Sequence, residues 1–341
     1  MKRILVFVVL LILLVPAHVF GEKPKAKPEF VVKFGTLAPG GTAWSSVLDT
    51  IKKFMERESK GRIKIVFYMS GVMGDEPDMV RKMKMGQLQG GGFTFQGIHS
   101  FFPELMVTEL PFLFEDYDEV DFVFKRIYSS LAKVLEKKGF ILLALAEEGM
   151  QMIFSEKPVR KPEDFQQHRC WVWEDEPVQV ETYKALGVSH PIPTTVLDLR
   201  PAFQNRMVNL VYASPMTIVG LQIYTGVKYG TLMNFRYNPA LYLVTKSFWD
   251  SIPQEFRDLT KKAIDIMKDE SYGKARPGQD EALKALSEYG IKIIVPTPEE
   301  LNVLKKRTRP LWDDLADKVY PRWLLNEILS AKKAYAASKK K

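Results

Sequence analysis

Few residues of this 341-residue chain could do covalent or metal chemistry, and they form no catalytic set. Its one cysteine, Cys170, excludes an intramolecular disulfide and a site built from several thiolates. Four histidines leave little for zinc or general-base chemistry. Cys170 lies beside His168, but no base or oxyanion site is defined near it, so we do not expect a nucleophile. The sequence therefore predicts no catalytic residue, no metal and no cofactor.

Two other patterns could carry chemistry, and each favours an ordinary structural role. Glu147-Glu148 is a carboxylate pair, but adjacent residues of a strand point to opposite faces, so we do not expect a glycosidase site. Methionines cluster between Met69 and Met85, and thioethers suit Cu(I). Met79 and Met83 have helical spacing, which favours core packing over metal binding.

The residues best suited to binding are aromatic. Trp171 and Trp173 lie two apart, so on a strand they share one face and offer flat apolar area for stacking. They could equally be core residues. Gln151, near the start of another predicted strand, either bonds the neighbouring strand or contacts a ligand.

These residues need a framework, and the chain from Phe30 onward alternates strand-like and helix-like segments, which is typical of α/β layers. The predicted strands are Phe30 to Leu37, Ile63 to Met69, Phe93 to Phe95, Phe140 to Ala146, Met150 to Ser155, Cys170 to Trp173, Val208 to Ser214, Leu241 to Lys246 and Ile291 to Val295. The predicted helices include one capped by Thr42, Glu76 to Met85, Tyr117 to Lys138 and Pro177 to Leu186. A long helical pattern from Pro253 to Tyr289 contains Pro277-Gly278, where we expect a kink or a split. Thr297 and Glu300 form a capping box that begins a further helix.

The N-terminus predicts export. Lys2 and Arg3 precede an apolar run of about 12 residues, whereas a spanning helix needs about 20. We expect residues 1–21 to be a signal peptide cleaved near Gly21, residues 22–28 to be a disordered leader, and the mature protein to be periplasmic. The net charge of +8 is spread along the chain, so a nucleic-acid partner is not implied.

Several short segments, in this order, carry a family resemblance. They are Ser59 to Ile65, Gly71 to Glu76, Pro103 to Leu105, Glu109 to Phe114, Lys161 to Phe165 and Ala185 to Pro193. Together they resemble the solute-binding proteins of tripartite ATP-independent periplasmic (TRAP) transporters over about residues 30–320.

The resemblance implies a two-lobed α/β fold with a hinge and a long helix that spans the lobes. It implies a first lobe of residues 29–148 plus 235–272, a second of 149–234 plus 273–336, and a tail at 337–341. It also implies a small-molecule ligand enclosed between the lobes, and delivery of that ligand to the membrane permease of a TRAP transporter.

The departures from the family pattern are informative. Typical members carry an arginine where this chain has Gln151, and a second arginine, which clamps a substrate carboxylate, where it has Trp171. A typical asparagine falls on Ala213. Arg169 is one residue out of phase, so on a strand it faces away from Trp171. The chain thus resembles an arginine-lacking branch with a Trp-Val-Trp strand, some of whose members work with a periplasmic tetratricopeptide-repeat partner.

Loss of both arginines with retention of the fold predicts a largely apolar or aromatic ligand, because a carboxylate buried without a cation would cost several kcal/mol. Alternatives are a periplasmic interaction or sensor-docking protein with the same fold and an exported hydrolase. Glu174 belongs either to the cleft or to a solvated turn, and Trp44 either to the site or to a buried helix face. The full set of candidate ligand-binding residues is Pro39, Trp44, Thr94, Phe95, Gln96, Gln151, Trp171, Trp173, Glu174, Val196, Tyr212, Ala213 and Pro215.

Overall fold

The structure is a computed structural model that describes residues 27–339, apart from the side chains of residues 267–274. The predicted signal peptide lies outside the described residues, as does most of the predicted leader. The strands are β1 (Phe30–Thr36), β2 (Ile63–Tyr68), β3 (Gly90–Thr94), β4 (Phe140–Ser155), β5 (Trp171–Trp173), β6 (Ile192–Thr194), β7 (Leu210–Ala213), β8 (Tyr229–Thr245) and β9 (Lys292–Ile294).

Twelve α-helices surround these strands in the described part of the chain. They are α1 (Ala43–Glu58), α2 (Glu76–Lys84), α3 (Tyr117–Lys137), α4 (Pro162–Phe165), α5 (Pro177–Ala185), α6 (Val196–Gln204), α7 (Pro215–Gly220), α8 (Lys246–Ser251), α9 (Gln254–Tyr289), α10 (Pro298–Thr308), α11 (Leu311–Asp314) and α12 (Arg322–Ser338). Short 3-10 helices occupy Gln96–Ile98, Pro103–Glu109 and Ile223–Gly226.

The main sheet has the strand order β2-β1-β3-β8-β4-β7, and β9 pairs with β8. β1 is parallel to β2 and β3, whereas β8 runs antiparallel to β3 and β4. β5 and β6 form a separate parallel pair. The alternation of strands and helices confirms the predicted α/β class, and the fold is that of a two-lobed binding protein.

Two strands are much longer than the sequence predicts. The predicted strands at Phe140 and Met150 are one strand, β4, which pairs with the 17-residue β8 from Phe140↔Thr245 to Ser155↔Tyr229. The register shifts three times along this ladder, at Leu142/Ala144, Glu147/Gly149 and Gln151/Ile153. Such bulges bend and twist a strand pair, so β4 and β8 continue through a region that the sequence suggested was a break.

The long helix is also continuous. α9 runs through Pro277, so the split allowed by the sequence does not occur. Proline in a helix interior costs about 3 kcal/mol, and tertiary contacts on both sides offset it here. α9 packs on α1, and beyond the proline the Gln279 side chain accepts from Met216 N at 3.1 Å and donates to Glu148 O at 2.7 Å. α9 thus touches elements of both predicted lobes.

One glycine permits a close approach between the predicted lobes. A Cβ added at Gly97 would overlap the Glu76 carboxylate and lie 2.7 Å from Trp173 Cη2. Apart from its chain neighbours, no described atom comes within 4 Å of a Cβ added at Gly40, which lies in the loop after β1. The Trp173 indole can lie against the 96–98 turn only because position 97 has no side chain.

We predict that Gly97→Ala destabilises the protein by about 1–3 kcal/mol, the usual cost of overpacking. Urea denaturation measures the free energy of unfolding. The matched control, Gly40→Ala, should change it by less than about 0.5 kcal/mol. Equal effects of the two substitutions would contradict the packing described at Gly97.

Candidate ligand-binding site

A cavity of about 130 Å³ lies where the middle of β4 and β8 meets β5, β7 and the loop after β1. Its wall is mostly apolar, and the aromatic residues that line it are Trp44, Phe93, Trp171, Trp173, Tyr212 and Tyr242. Residues of both predicted lobes contribute, so a molecule held here would contact both.

Ten of the thirteen predicted site residues line this cavity: Pro39, Trp44, Thr94, Gln96, Gln151, Trp171, Trp173, Val196, Tyr212 and Ala213. The other three do not. Phe95 is fully buried in a hydrophobic core, Glu174 is exposed, and Pro215 is buried in the first turn of α7. Glu174 follows β5 in a turn, the alternative that its sequence context had left open.

The two tryptophans of β5 are placed as strand alternation predicts. Their ring centroids lie 6.1 Å apart at an interplanar angle of 41°, and the side chains are 3% and 4% exposed. Trp171 and Trp173 also pack in a hydrophobic cluster, so they belong both to a core and to the cavity wall. Packing in a core and lining the cavity are therefore compatible roles for these two tryptophans.

Asp75 links the two sides of the cavity. Its carboxylate accepts from Trp173 Nε1 at 3.2 Å and from Val196 N at 3.3 Å, and it also caps α2 through Glu76 N. A second link joins Gln96 Nε2 to Gln179 Oε1 at 3.1 Å. These bonds connect segments that the sequence assigns to different lobes.

Two lining residues that sequence reasoning missed are Glu147 and Glu148. Both are buried and both line the cavity, but their carboxylates have different partners: Glu147 contacts Tyr237 and Arg276, whereas Glu148 contacts Gln151, Ser214 and Thr217. The register shift between Glu147 and Gly149 leaves Glu148 without a partner residue in β8, as in a bulge. Gly149 adopts φ +116°, a left-handed conformation that glycine tolerates. The signal in the sequence that could have indicated this bulge is the Glu147-Glu148-Gly149 segment.

Both glutamates have partners within the protein. Glu148 accepts from Ser214 N at 2.9 Å, from Gln151 Nε2 at 2.9 Å and from the Thr217 hydroxyl. Glu147 accepts from Arg276 Nε at 2.8 Å. Burial nonetheless raises the pKa of each carboxyl above its usual value.

Glu76 is the third missed carboxyl of the wall. It stands at the start of α2 and is buried, and its carboxylate accepts from Thr94 N at 2.9 Å and from Thr94 Oγ1 at 2.9 Å. Burial raises the pKa of Glu76 well above its usual value. The sequence placed Glu76 at a helix start, and only the packing of α2 beside the end of β3 brings it to the cavity.

No lysine, arginine or histidine lines the cavity among the described side chains. Arg169 is exposed, and its Nε donates to Arg206 O at 2.8 Å. The buried arginine nearby, Arg236, pairs with Glu109 and Glu176 and donates to Tyr212 Oη at 3.0 Å. Its charge is therefore balanced outside the cavity wall.

Comparison with known proteins identifies the family. The model of the family described as "Bacterial extracellular solute-binding protein, family 7" matches residues 34–318. The chain belongs to this family. It is the family of the TRAP solute-binding proteins, whose members bind substrates for transport and are not enzymes.

Relatives and solved structures agree with this assignment. The chain is 22% identical to the C4-dicarboxylate-binding periplasmic protein DctP of Rhodobacter capsulatus. The aligned stretch of 302 residues covers 87% of this chain and 89% of that protein. The sugar acid binding protein DctPAm of Advenella mimigardefordensis, in complex with galactonate, superposes with a TM-score of 0.85 at 24% identity, covering 90% of this chain and 99% of that one. A TRAP periplasmic solute binding protein of Sulfurospirillum deleyianum with bound succinate gives a TM-score of 0.83 at 20% identity, covering 89% and 99%.

Within residues 27–339, no helix is long and apolar enough to cross a membrane. The family itself is one of periplasmic solute-binding proteins.

We predict that Glu76→Gln weakens the pH dependence of stability. Because the folded-state pKa of Glu76 is raised, the wild type loses stability as the pH rises from the unfolded-state pKa, about 4.3, toward the folded-state value. An amide cannot ionise, so the variant lacks this loss. Urea denaturation at pH 5 and pH 8 should show that the free energy of unfolding decreases less between these pH values for Glu76→Gln than for wild type.

The exposed Glu163→Gln serves as the control and should retain the wild-type decrease. If Glu76→Gln also showed the full wild-type decrease in the free energy of unfolding, the pKa of Glu76 would not be raised as described.

Proposed function

We propose that this protein is the periplasmic solute-binding subunit of a TRAP-type transporter, and that it captures a largely apolar or aromatic small molecule. The observation that carries the proposal is the composition of the cavity wall. Six aromatic residues and three glutamates line it, with no basic residue among those described. Such a wall favours stacking and apolar burial, and it offers no cation to a ligand carboxylate.

The contrast with the compared structures supports this choice. Galactonate and succinate are carboxylates, and a buried carboxylate needs a paired cation or several hydrogen-bond donors. At the two positions where the family resemblance implies arginine, this chain has Gln151 and Trp171, and both line the cavity. We infer that the change of residue type accompanies a change of ligand class.

We propose that ligand binding closes the two lobes. The lobes would be residues 29–148 plus 235–272 and residues 149–234 plus 273–336, with the hinge where β4 and β8 cross between them. A ligand favours the closed arrangement only through contacts that the open one lacks. Cavity residues from both proposed lobes, such as Trp44 and Trp171, supply such contacts.

The released ligand would pass to a TRAP membrane permease. A periplasmic tetratricopeptide-repeat partner stays a prediction from the resemblance to the Trp-Val-Trp branch. Export by a signal peptide cleaved near Gly21 is likewise a proposal, and it accounts for the periplasmic location.

Native mass spectrometry of protein purified from the periplasm tests the proposal. The wild type should retain a non-covalent small molecule. Trp171→Ala should lose it, because truncation of a buried aromatic anchor typically costs about 2–4 kcal/mol, or roughly 30- to 1000-fold in affinity.

Trp323→Ala is the matched control, since Trp323 is 50% exposed on α12 and does not line the cavity. It should retain the ligand as the wild type does. Full retention by Trp171→Ala, or release of a carboxylic acid from the wild type, would contradict the proposed function.

A further inference from the structure

Asp75 joins the first turns of two helices. It is 6% exposed, and its Oδ1 accepts from Glu76 N, the first amide of α2, at 2.8 Å. Its Oδ2 accepts from Val196 N, the first amide of α6, at 3.3 Å. The N-terminus of a helix carries unpaired N–H groups and partial positive charge, so each of these two helix ends favours a carboxylate. α2 belongs to the first proposed lobe and α6 to the second, so one side chain bonds both.

The same carboxylate oxygen holds a third donor, the indole of Trp173. Asp75 Oδ2 accepts from Trp173 Nε1 at 3.2 Å, and Trp173 on β5 is 4% exposed. An indole N–H only donates, and a buried donor without an acceptor is unfavourable. Without the carboxylate, the N–H groups of Trp173 and Val196 would lose their acceptor while the lobes are together, whereas water would hydrate them once the lobes separated. Asp75 therefore favours the arrangement in which the lobes meet.

The proposed lobes fit closely beside this carboxylate. A Cβ added at Gly71 would lie 2.5 Å from Cδ2 of Leu197 on α6. A Cβ added at Gly97 would lie 2.7 Å from Trp173 Cη2. Both glycines belong to the first proposed lobe and both neighbours to the second. The bonds of Asp75 thus lie within a tightly packed junction between the proposed lobes.

Asp75 acts behind the wall of the cavity and not on the ligand. Trp173 and Val196 line the cavity, whereas Asp75 does not. Loss of the Asp75 bonds would therefore release two wall residues from the first proposed lobe without removing a ligand contact.

We propose that Asp75 is a latch between the lobes, a positioning residue that holds Trp173 and Val196 against the first lobe and so stabilises the closed cavity. Release of a bound molecule then requires these two bonds to break. The inference rests on the lobe closure of the proposed function and adds the side chain that sets its equilibrium.

Double electron–electron resonance of the ligand-free protein tests the latch. Spin labels at Lys53→Cys on α1 and Lys306→Cys on α10 report on the two proposed lobes, since both positions are exposed. The native Cys170 is buried and is therefore not labelled. A shorter and a longer distance between the labels give the ratio of closed to open protein.

Asp75→Asn should lower the closed-to-open ratio at least about 10-fold. Asparagine caps a helix as well as aspartate does, but with its oxygen on Glu76 N it turns an NH2 group toward the two donors of the second lobe. Asp78→Asn is the matched control, since it removes the same charge from the same helix at an exposed position. It should leave the ratio within about 2-fold of the wild type. A wild-type ratio no higher than that of Asp75→Asn would overturn the latch.

A second variant removes a single donor. Val196 occupies the first position of α6, where proline is favoured, and Thr195 has the extended conformation (φ −70°, ψ 160°) that readily precedes proline. Val196→Pro deletes the N–H and should lower the ratio about 3- to 10-fold. In the Asp75→Asn background it should cause no further decrease, because the bond is already lost. A full additional decrease there would give the N–H another partner and overturn the assignment.

These outcomes are separable from failure of the proposed function. Two distances with an equal ratio in wild type and Asp75→Asn would overturn the latch alone. A single distance, the same in ligand-free protein and in protein purified with its bound molecule, would contradict lobe closure and the latch with it. Neither result bears on whether the cavity binds an apolar molecule.

Discussion

The antiparallel pairing of β4 with β8 is the constraint on which the site depends. These two strands pair along nearly their whole length, and they carry three register shifts within it. Glu147 and Glu148 line the cavity at the central shift, and Gly149 follows them in a left-handed conformation. Gln279 of α9 then satisfies the Glu148 carbonyl, so the bulge and the long helix stabilise each other. The cavity lies directly on this irregular segment.

The electrostatics of the cavity follow from that geometry. Burying three carboxyls is costly, and the protein offsets the cost with internal donors, with the ion pair between Arg276 and Glu147, and with raised pKa values. Arg276 and Arg236 balance charge at the periphery, where they pair with acidic side chains. The proposed site for an uncharged ligand would thus stand on a fold that holds galactonate and succinate in the compared structures.

Many elements of the fold could be predicted from the sequence. The predictions that failed did so for local structural reasons. The sequence predicted α3 and α5 to within a residue and the start of α1 at its Thr42 cap, and the capping box of α10 is formed as its residues indicate. Alternation placed Trp171 and Trp173 on one face. The bulges of β4 could not be predicted, because an extra residue in a ladder is determined by the partner strand. The continuity of α9 through Pro277 likewise depends on tertiary contacts that outweigh a local propensity.

The absence of a carboxylate clamp is the central claim, and isothermal titration calorimetry of the ligand-free protein with galactonate and succinate tests it most directly. Both are bound by proteins of the same fold. The account predicts no measurable binding below about 1 mM for either acid, which corresponds to less than about 4 kcal/mol of binding free energy. Micromolar binding of either acid would show that a cation reaches the cavity and would contradict the account.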